Sequence, residues 1–433
     1  MPPDSAPPSR ARFVLAGWLC TLSAVLFLDR VCIGQAAQDI QADLGLSNRE
    51  LGFVFMAFTI AYGLFEVPTG RLGDRIGARA VLARVVVWWS AFTALTGAAT
   101  GLGSLLVVRF LFGAGEAGAY PNTARVLSRW FPAAERGRVT GLMLTCAQLG
   151  GAAAPALTAA LVWLVGWRLA FVAFGLVGVA WAVGFWLWFR DDPADHPRVN
   201  AAELALIRAG TTAGRPHGSI PWRAASRAPG VWLLAAIIMC SSFNSYLYFS
   251  WFSKYLQDGR GVAKGEAGLL TSLVLLGGAA GMMAGGVLAD RVSRATDRVR
   301  ARRRFGAAAY LLSAAALTTA TTADSPLLLA ALIAVGYLAL QSTLPTWWAA
   351  AIEQSGRNVG AVFGMLNTCG ILAGVASQGF VGWFTQYQAD AGVTGRGQWD
   401  PILWVYVGVL LAGAAGWGLY RYRPLDDDED PPH

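Results

Sequence analysis

GRLGDR, Gly70 to Arg75, is a polar run wedged between two apolar stretches, and it returns as GGVLADR, Gly285 to Arg291. Gly70, Asp74 and Arg75 align with Gly286, Asp290 and Arg291 at an offset of 216 residues, half the chain. A weaker echo lies at nearly the same offset, SRWFPAAERGR (128–138) against TWWAAAIEQSGR (346–357). Two echoes at almost one spacing read as an internal duplication, and duplication on this scale is a signature of membrane transporters.

The surrounding sequence agrees. Hydrophobic residues make up 55% of the 433 and charged residues only 14%, too little charge for a soluble surface of this size. Apolar runs long enough to cross a hydrocarbon core of about 30 Å recur twelve times. They fall at about 13–35, 50–70, 80–100, 104–126, 139–161, 167–189, 230–252, 267–289, 305–323, 326–349, 359–384 and 401–421. We number these spans 1 to 12. The longest internal polar stretch, from Arg190, separates six from six and predicts a short surface helix near 201–209. The expected units are an N-terminal bundle (1–189), a linker (190–229), a C-terminal bundle (230–422) and an acidic tail (423–433), an all-α membrane protein of two pseudo-symmetric six-helix bundles.

Charge placement tests that count. With both termini inside, the inner segments hold 26 of the 34 Lys and Arg residues. The outer segments hold six: Arg49, Arg168, Lys254, Arg260, Lys264 and Arg396. This is the asymmetry of the positive-inside rule, and moving the count by one span destroys it. The net charge of +8 is therefore a topology signal and calls for no nucleic acid. The polar, Pro-rich start MPPDSAPPSRAR predicts no cleaved signal peptide. The five cysteines fall within spans without metal-ligand spacing, and the three histidines fall in loops or the tail, so neither a metal site nor an intramembrane His relay is expected. No Walker loop or GxSxG elbow occurs, and GAGEAG (113–118) has no preceding strand to make it a nucleotide loop, so no enzyme or cofactor is expected.

Four charges stand out deep within the spans, Asp29 and Arg30 in span 1, Arg109 and Glu116 in span 4, while Glu66 in span 2 sits closer to the inner surface. A charge facing lipid costs at least a few kcal/mol, so these must face protein or an aqueous cavity. Asp29 and Arg30 are adjacent and point about 100° apart, so they do not neutralise each other on their own helix. Arg109 and Glu116 are seven residues apart, on one face with about 10 Å of rise between them. Gly113, Gly115 and Gly118 remove bulk from the same segment. Arginines at low dielectric attract an anion, and the guanidinium fork suits a carboxylate. Burial disfavours a charged carboxyl while a nearby Arg favours it, so Asp29 and Glu116 suit protonation that switches with conformation or occupancy. Two fixed salt bridges, Asp29–Arg109 and Arg30–Glu116, are the purely structural alternative.

GRLGDRIGAR after span 2, its relic after span 8 and the six-plus-six plan resemble the major facilitator superfamily over essentially the whole chain. DR in span 1, R-x6-E followed by A-x-A-Y-P in span 4, and RDDPADHP after span 6 resemble the anion:cation symporter family within it. That resemblance implies a monomeric transporter of the bacterial inner membrane that takes up a small organic anion with protons, with sugar acids such as hexuronates, aldonates or aldarates foremost and aromatic acids also open. It implies that Arg30 and Arg109 hold the substrate carboxylate and that Asp29 and Glu116 carry protons. It implies that Tyr62, Gln148, Tyr246 and Asn367 line the substrate path. Gly70, Asp74 and Arg75, with Asp290 and Arg291, would form the inner gate. The chain departs from the family at Glu66, where an amide is usual, and at Ser253, where a proline is common; Gln148 lies one residue from the family glutamine. Two rivals are proton-driven efflux, against which the paired arginines argue, and a non-transporting sensor of the same fold, for which no appended domain speaks.

Overall fold

The computed structural model describes residues 7–209, 228–293, 297–355 and 359–421. Eight helical stretches among them are long and apolar enough to cross a membrane. One, Glu135–Trp188, runs 54 residues, about 80 Å at the helical rise and more than twice a hydrocarbon core. It turns at Gly166, where φ is 78°, a left-handed conformation open to glycine at no steric cost. That turn divides it into spans 5 and 6. Asn48–Ile76, Arg298–Thr322 and Val359–Asp390 complete the twelve as spans 2, 9 and 11.

Several helices run beyond their apolar stretches. Span 1 covers Ala11–Leu44, past the predicted 13–35. Span 4 is broken at Gly118 into Leu102–Glu116 and Ala119–Trp130, and span 10 at Thr343 into Pro326–Ser342 and Leu344–Ser355. Span 7 starts as Pro229–Tyr246 and continues through two π-helical turns, Leu247–Trp251 and Tyr255–Gly259. Ala201–Ala209 is a short helix, as its pattern predicts.

The duplication is visible in the packing. Within the first half, span 1 packs on span 5, span 2 on span 4 and span 3 on span 6. The second half repeats this with 7 on 11, 8 on 10 and 9 on 12. The halves meet along 2 with 11 and 5 with 8, pairs that the same duplication relates.

Loop polar groups tie each half together. Arg12 at the start of span 1 pairs with Glu135 at the start of span 5 (2.9 Å) and with Glu203 of the linker helix (3.1 Å). In the RDDP segment, Asp191 accepts the Arg79 backbone N–H (3.0 Å) at the start of span 3, and Asp192 accepts that of Ala194 (2.8 Å). Such caps satisfy helix N–H groups that have no partner within the helix. Among the gate positions, Arg291 is exposed. The side chains of Gly70, Asp74, Arg75 and Asp290 lie outside the described residues, although their backbones are helical at the ends of spans 2 and 8.

Candidate functional site

A cavity lies between the halves, lined from spans 1, 2 and 4 on one side and 7 and 11 on the other. Both intramembrane arginines reach it. Arg30 arrives from the middle of span 1, pairs with Glu116 of span 4, and stands over the rings of Tyr62 (4.4 Å), Phe27 (5.3 Å) and Phe58 (5.6 Å). Aromatic faces attract a cation and fix its plane without neutralising it. Its second terminal nitrogen has no hydrogen-bond partner in the protein.

Arg109 is 2% exposed, and its Nε and one terminal nitrogen have no partner. Phe112 (5.0 Å) and Phe171 (5.6 Å) flank its guanidinium. The segment that carries it can approach span 2 because residue 113 is glycine: a Cβ there would lie 2.4 Å from the Phe58 carbonyl oxygen. The predicted removal of bulk is thus spent on bringing spans 2 and 4 together around the arginine.

The four charges do not share one chamber. Glu116 is 1% exposed and holds Arg30 from behind, with one carboxylate oxygen left unpaired. Asp29 is equally buried, with neither oxygen hydrogen-bonded. It leaves the cavity side altogether and borders a separate apolar groove beside Leu161 and Phe174, between spans 1, 5 and 6. Adjacent residues on a helix diverge, and here that divergence sends Arg30 into the cavity and Asp29 behind it. Of the two salt bridges that a purely structural role requires, Arg30–Glu116 is formed, while Asp29 makes no hydrogen bond to Arg109.

The other expected residues separate. Tyr246 lines the cavity, and Tyr62 reaches it through Arg30. Gln148 packs on Met282 of span 8 (3.9 Å) and is not among the lining residues. Asn367 is exposed and donates to Glu66 (2.8 Å), linking spans 11 and 2 across the halves. The Glu66 carboxylate thus has an amide partner on the opposite half.

Sequence reasoning missed Gln378, Ser250 and Thr59. Gln378 lines the cavity, accepts the Thr59 hydroxyl (2.9 Å) and donates to Ser250 (3.0 Å), so it bridges the halves at mid-depth. A lone amide in the apolar run GVASQGFVG was a readable signal. Ser250 owes its position to the π turn over Leu247–Trp251, which also turns Phe249 to the cavity. Such turns are common at functional sites. Tyr120, from the quoted A-x-A-Y-P motif, has an unpartnered buried hydroxyl in the same region of span 4.

Towards the end of the molecule away from the N-terminus, the halves are stitched by Gln35 to Ser253 (2.5 Å) and to the Lys264 carbonyl (3.1 Å), Gln38 to Asp258 (3.0 Å), the Asp39–Lys264 ion pair, and the Asn48 N–H to Gln386 (3.0 Å). Towards the other end, Glu66–Asn367 is the innermost such bond among the described residues.

The model of the Major Facilitator Superfamily matches residues 19–378. The chain belongs to the Major Facilitator Superfamily. Its relatives within the superfamily are transporters of anions and sugar acids. It is 32% identical to a probable sulfoacetate transporter of Cupriavidus necator over 383 residues, 87% of this chain and 88% of that one. It is 31% identical to the hexuronate transporter of Bacillus subtilis, covering 84% and 86%. To the D-galactonate transporter of Escherichia coli it is 28% identical, covering 89% and 92%. Among solved structures, a bacterial homolog of the human lysosomal transporter Spinster superposes with a TM-score of 0.77 at 19% identity, covering 94% of this chain and 96% of that one. This likeness supports the major facilitator fold of twelve spans in two bundles.

Proposed function

We propose that this membrane transporter takes up a small organic anion together with protons, by alternating access around the central cavity. The observation that carries the proposal is the pair of arginines in a cavity between the halves, with buried guanidinium nitrogens unpartnered in the protein. An unpaired cation at membrane depth is costly, and an anion with planar oxygens removes that cost through charge-assisted hydrogen bonds. The relatives named for sulfoacetate, hexuronate and galactonate support the same substrate class.

Protons enter at the two carboxyls. Glu116 competes with substrate for Arg30; protonating it releases the guanidinium to the anion. Neither Asp29 oxygen accepts a hydrogen bond, and a proton removes the cost of its buried charge. Both termini face the cytoplasm of a bacterial inner membrane, 190–229 links the bundles 1–189 and 230–422, and one chain suffices for transport. The bonds around Asp39–Lys264 then close the external side, and Asp74, Arg75, Asp290 and Arg291 hold the internal side shut when the molecule faces outward. None of these roles involves catalysis or a cofactor.

Purified protein in vesicles loaded with a pH-sensitive dye tests the coupling. Adding the transported anion outside should acidify the lumen, and Glu116→Gln should abolish acidification while substrate exchange continues. Uptake by the native chain with no change in lumenal pH would rule out proton symport.

A further inference from the structure

The cavity offers more than a charge. Phe27, Phe55, Phe58 and Phe249 supply much of its wall, with Val31 and Val54 between them. Its polar side chains are Arg30, Arg109, Tyr246, Ser250 and Gln378. Three of these five are already engaged. Arg30 is paired with Glu116, Gln378 gives its carbonyl oxygen to Thr59 and an amide N–H to Ser250, and Ser250 accepts that bond. What remains is rich in donors and poor in acceptors: guanidinium nitrogens accept nothing, and among the described lining side chains only the Tyr246 and Ser250 hydroxyls and a spare lone pair on Gln378 can accept a hydrogen bond. Glu66 and Asn367, which carry further polar atoms, are bonded to each other and are not among the lining residues.

A polyhydroxylated acid brings four or five hydroxyl donors along with its carboxylate. Buried against phenyl rings, those hydroxyls lose water without gaining acceptors, and each unmade hydrogen bond is costly. A site lined for hydrogen bonding rejects analogues that lack the group, and an apolar wall gives a polyol the converse problem. An anion with an apolar body has no such deficit: its oxygens meet the arginines and its carbon skeleton meets the rings.

Building on the organic-anion reading, we infer that the substrate is a hydroxyl-poor organic anion, a carboxylate or sulfonate on an aromatic or short aliphatic body, and not a sugar acid. Phe249 of span 7, which meets Phe27 edge-on at 6.5 Å, is the residue that sets this preference.

The test is counterflow in vesicles holding the purified full chain. Labelled benzoate is the probe, with benzoate, cyclohexanecarboxylate, benzenesulfonate, D-gluconate and D-glucuronate as competitors. The first three should compete at least about tenfold better than the last two. In Phe249→Asn, which adds an amide donor and acceptor to the wall, the preference should narrow by about tenfold, the loss of one buried ring face. If labelled gluconate or glucuronate exchanges as well as benzoate in the native chain, this inference is overturned while the organic-anion reading stands. If no anion of either kind exchanges, both fall.

Discussion

The two halves share a helix plan and divide the chemistry. Among the described residues the first half supplies the charges of the site, Arg30 and Arg109 with Glu116 behind Arg30, and also Asp29 in its separate groove. The second supplies Tyr246, Phe249, Ser250 and Gln378, a neutral wall. Duplication preserved the packing scheme of the spans and one loop device. Glu135 and Glu353 stand 218 residues apart in the second echo, and each holds an arginine. Glu135 holds Arg12 of span 1, whereas Glu353 holds Arg302 of span 9 with two bonds, at 2.6 and 2.7 Å. The Arg302 bonds keep the Glu353 carboxyl below the usual carboxylate range. The scaffold tolerated a change of partner in the loops; the interior specialised, one half for charge and one for shape.

The division is broken most severely by emptying the charged half. Glu116→Leu leaves Arg30 buried without its carboxylate, a loss of about 3–5 kcal/mol for a broken buried pair. Thermal unfolding in detergent should show it, and Gln378→Leu on the neutral half should cost much less. A full-sized loss from Gln378→Leu would erase the distinction. Gly113→Ala comes next. Its Cβ meets the Phe58 carbonyl oxygen at 2.4 Å, so spans 2 and 4 must part, at about 1–3 kcal/mol. Gly141→Ala, with nothing within 4 Å, is the control and should be neutral. The smallest effect belongs to the loop carboxylates. Both Glu135 and Glu353 are about a third exposed, so Gln in either place should cost no more than about 1 kcal/mol at pH 7. The Glu353 contribution should fade as pH drops towards the depressed carboxyl range, because a group held below its unfolded value stabilises only while ionised.

Fold and site were legible to different depths. The twelve spans were readable because a bilayer demands length and hydropathy from each segment separately, and the arginines added direction. The breaks at Gly118 and Thr343 had a local signal in Pro121 and Pro345, just beyond them, which the hydropathy reading passed over, and the π turns of span 7 had none. Arg30 and Arg109 were found because charge at that depth has few explanations. Their surroundings were harder. Sequence placed Asp29 near the same cavity as its neighbour, and only the rotation of span 1 reveals that it faces spans 5 and 6. Gln378 carried a signal in its apolar context; Thr59, an ordinary helix threonine by sequence, carried none.

The central claim is that the cavity recognises an anion through guanidinium groups, and Arg109 tests it most directly, since its Nε and one terminal nitrogen have no hydrogen-bond partner in the protein. The measurement is substrate counterflow by the native chain, Arg109→Lys and Arg109→Ala in the same vesicles, with folding checked by thermal unfolding. The account predicts a loss of at least about 100-fold in Arg109→Ala, equivalent to one charge-assisted bidentate contact. Arg109→Lys should recover only part of it, since an ammonium keeps the charge and loses the fork. A folded Arg109→Ala protein that exchanges the anion at the native rate would contradict the claim.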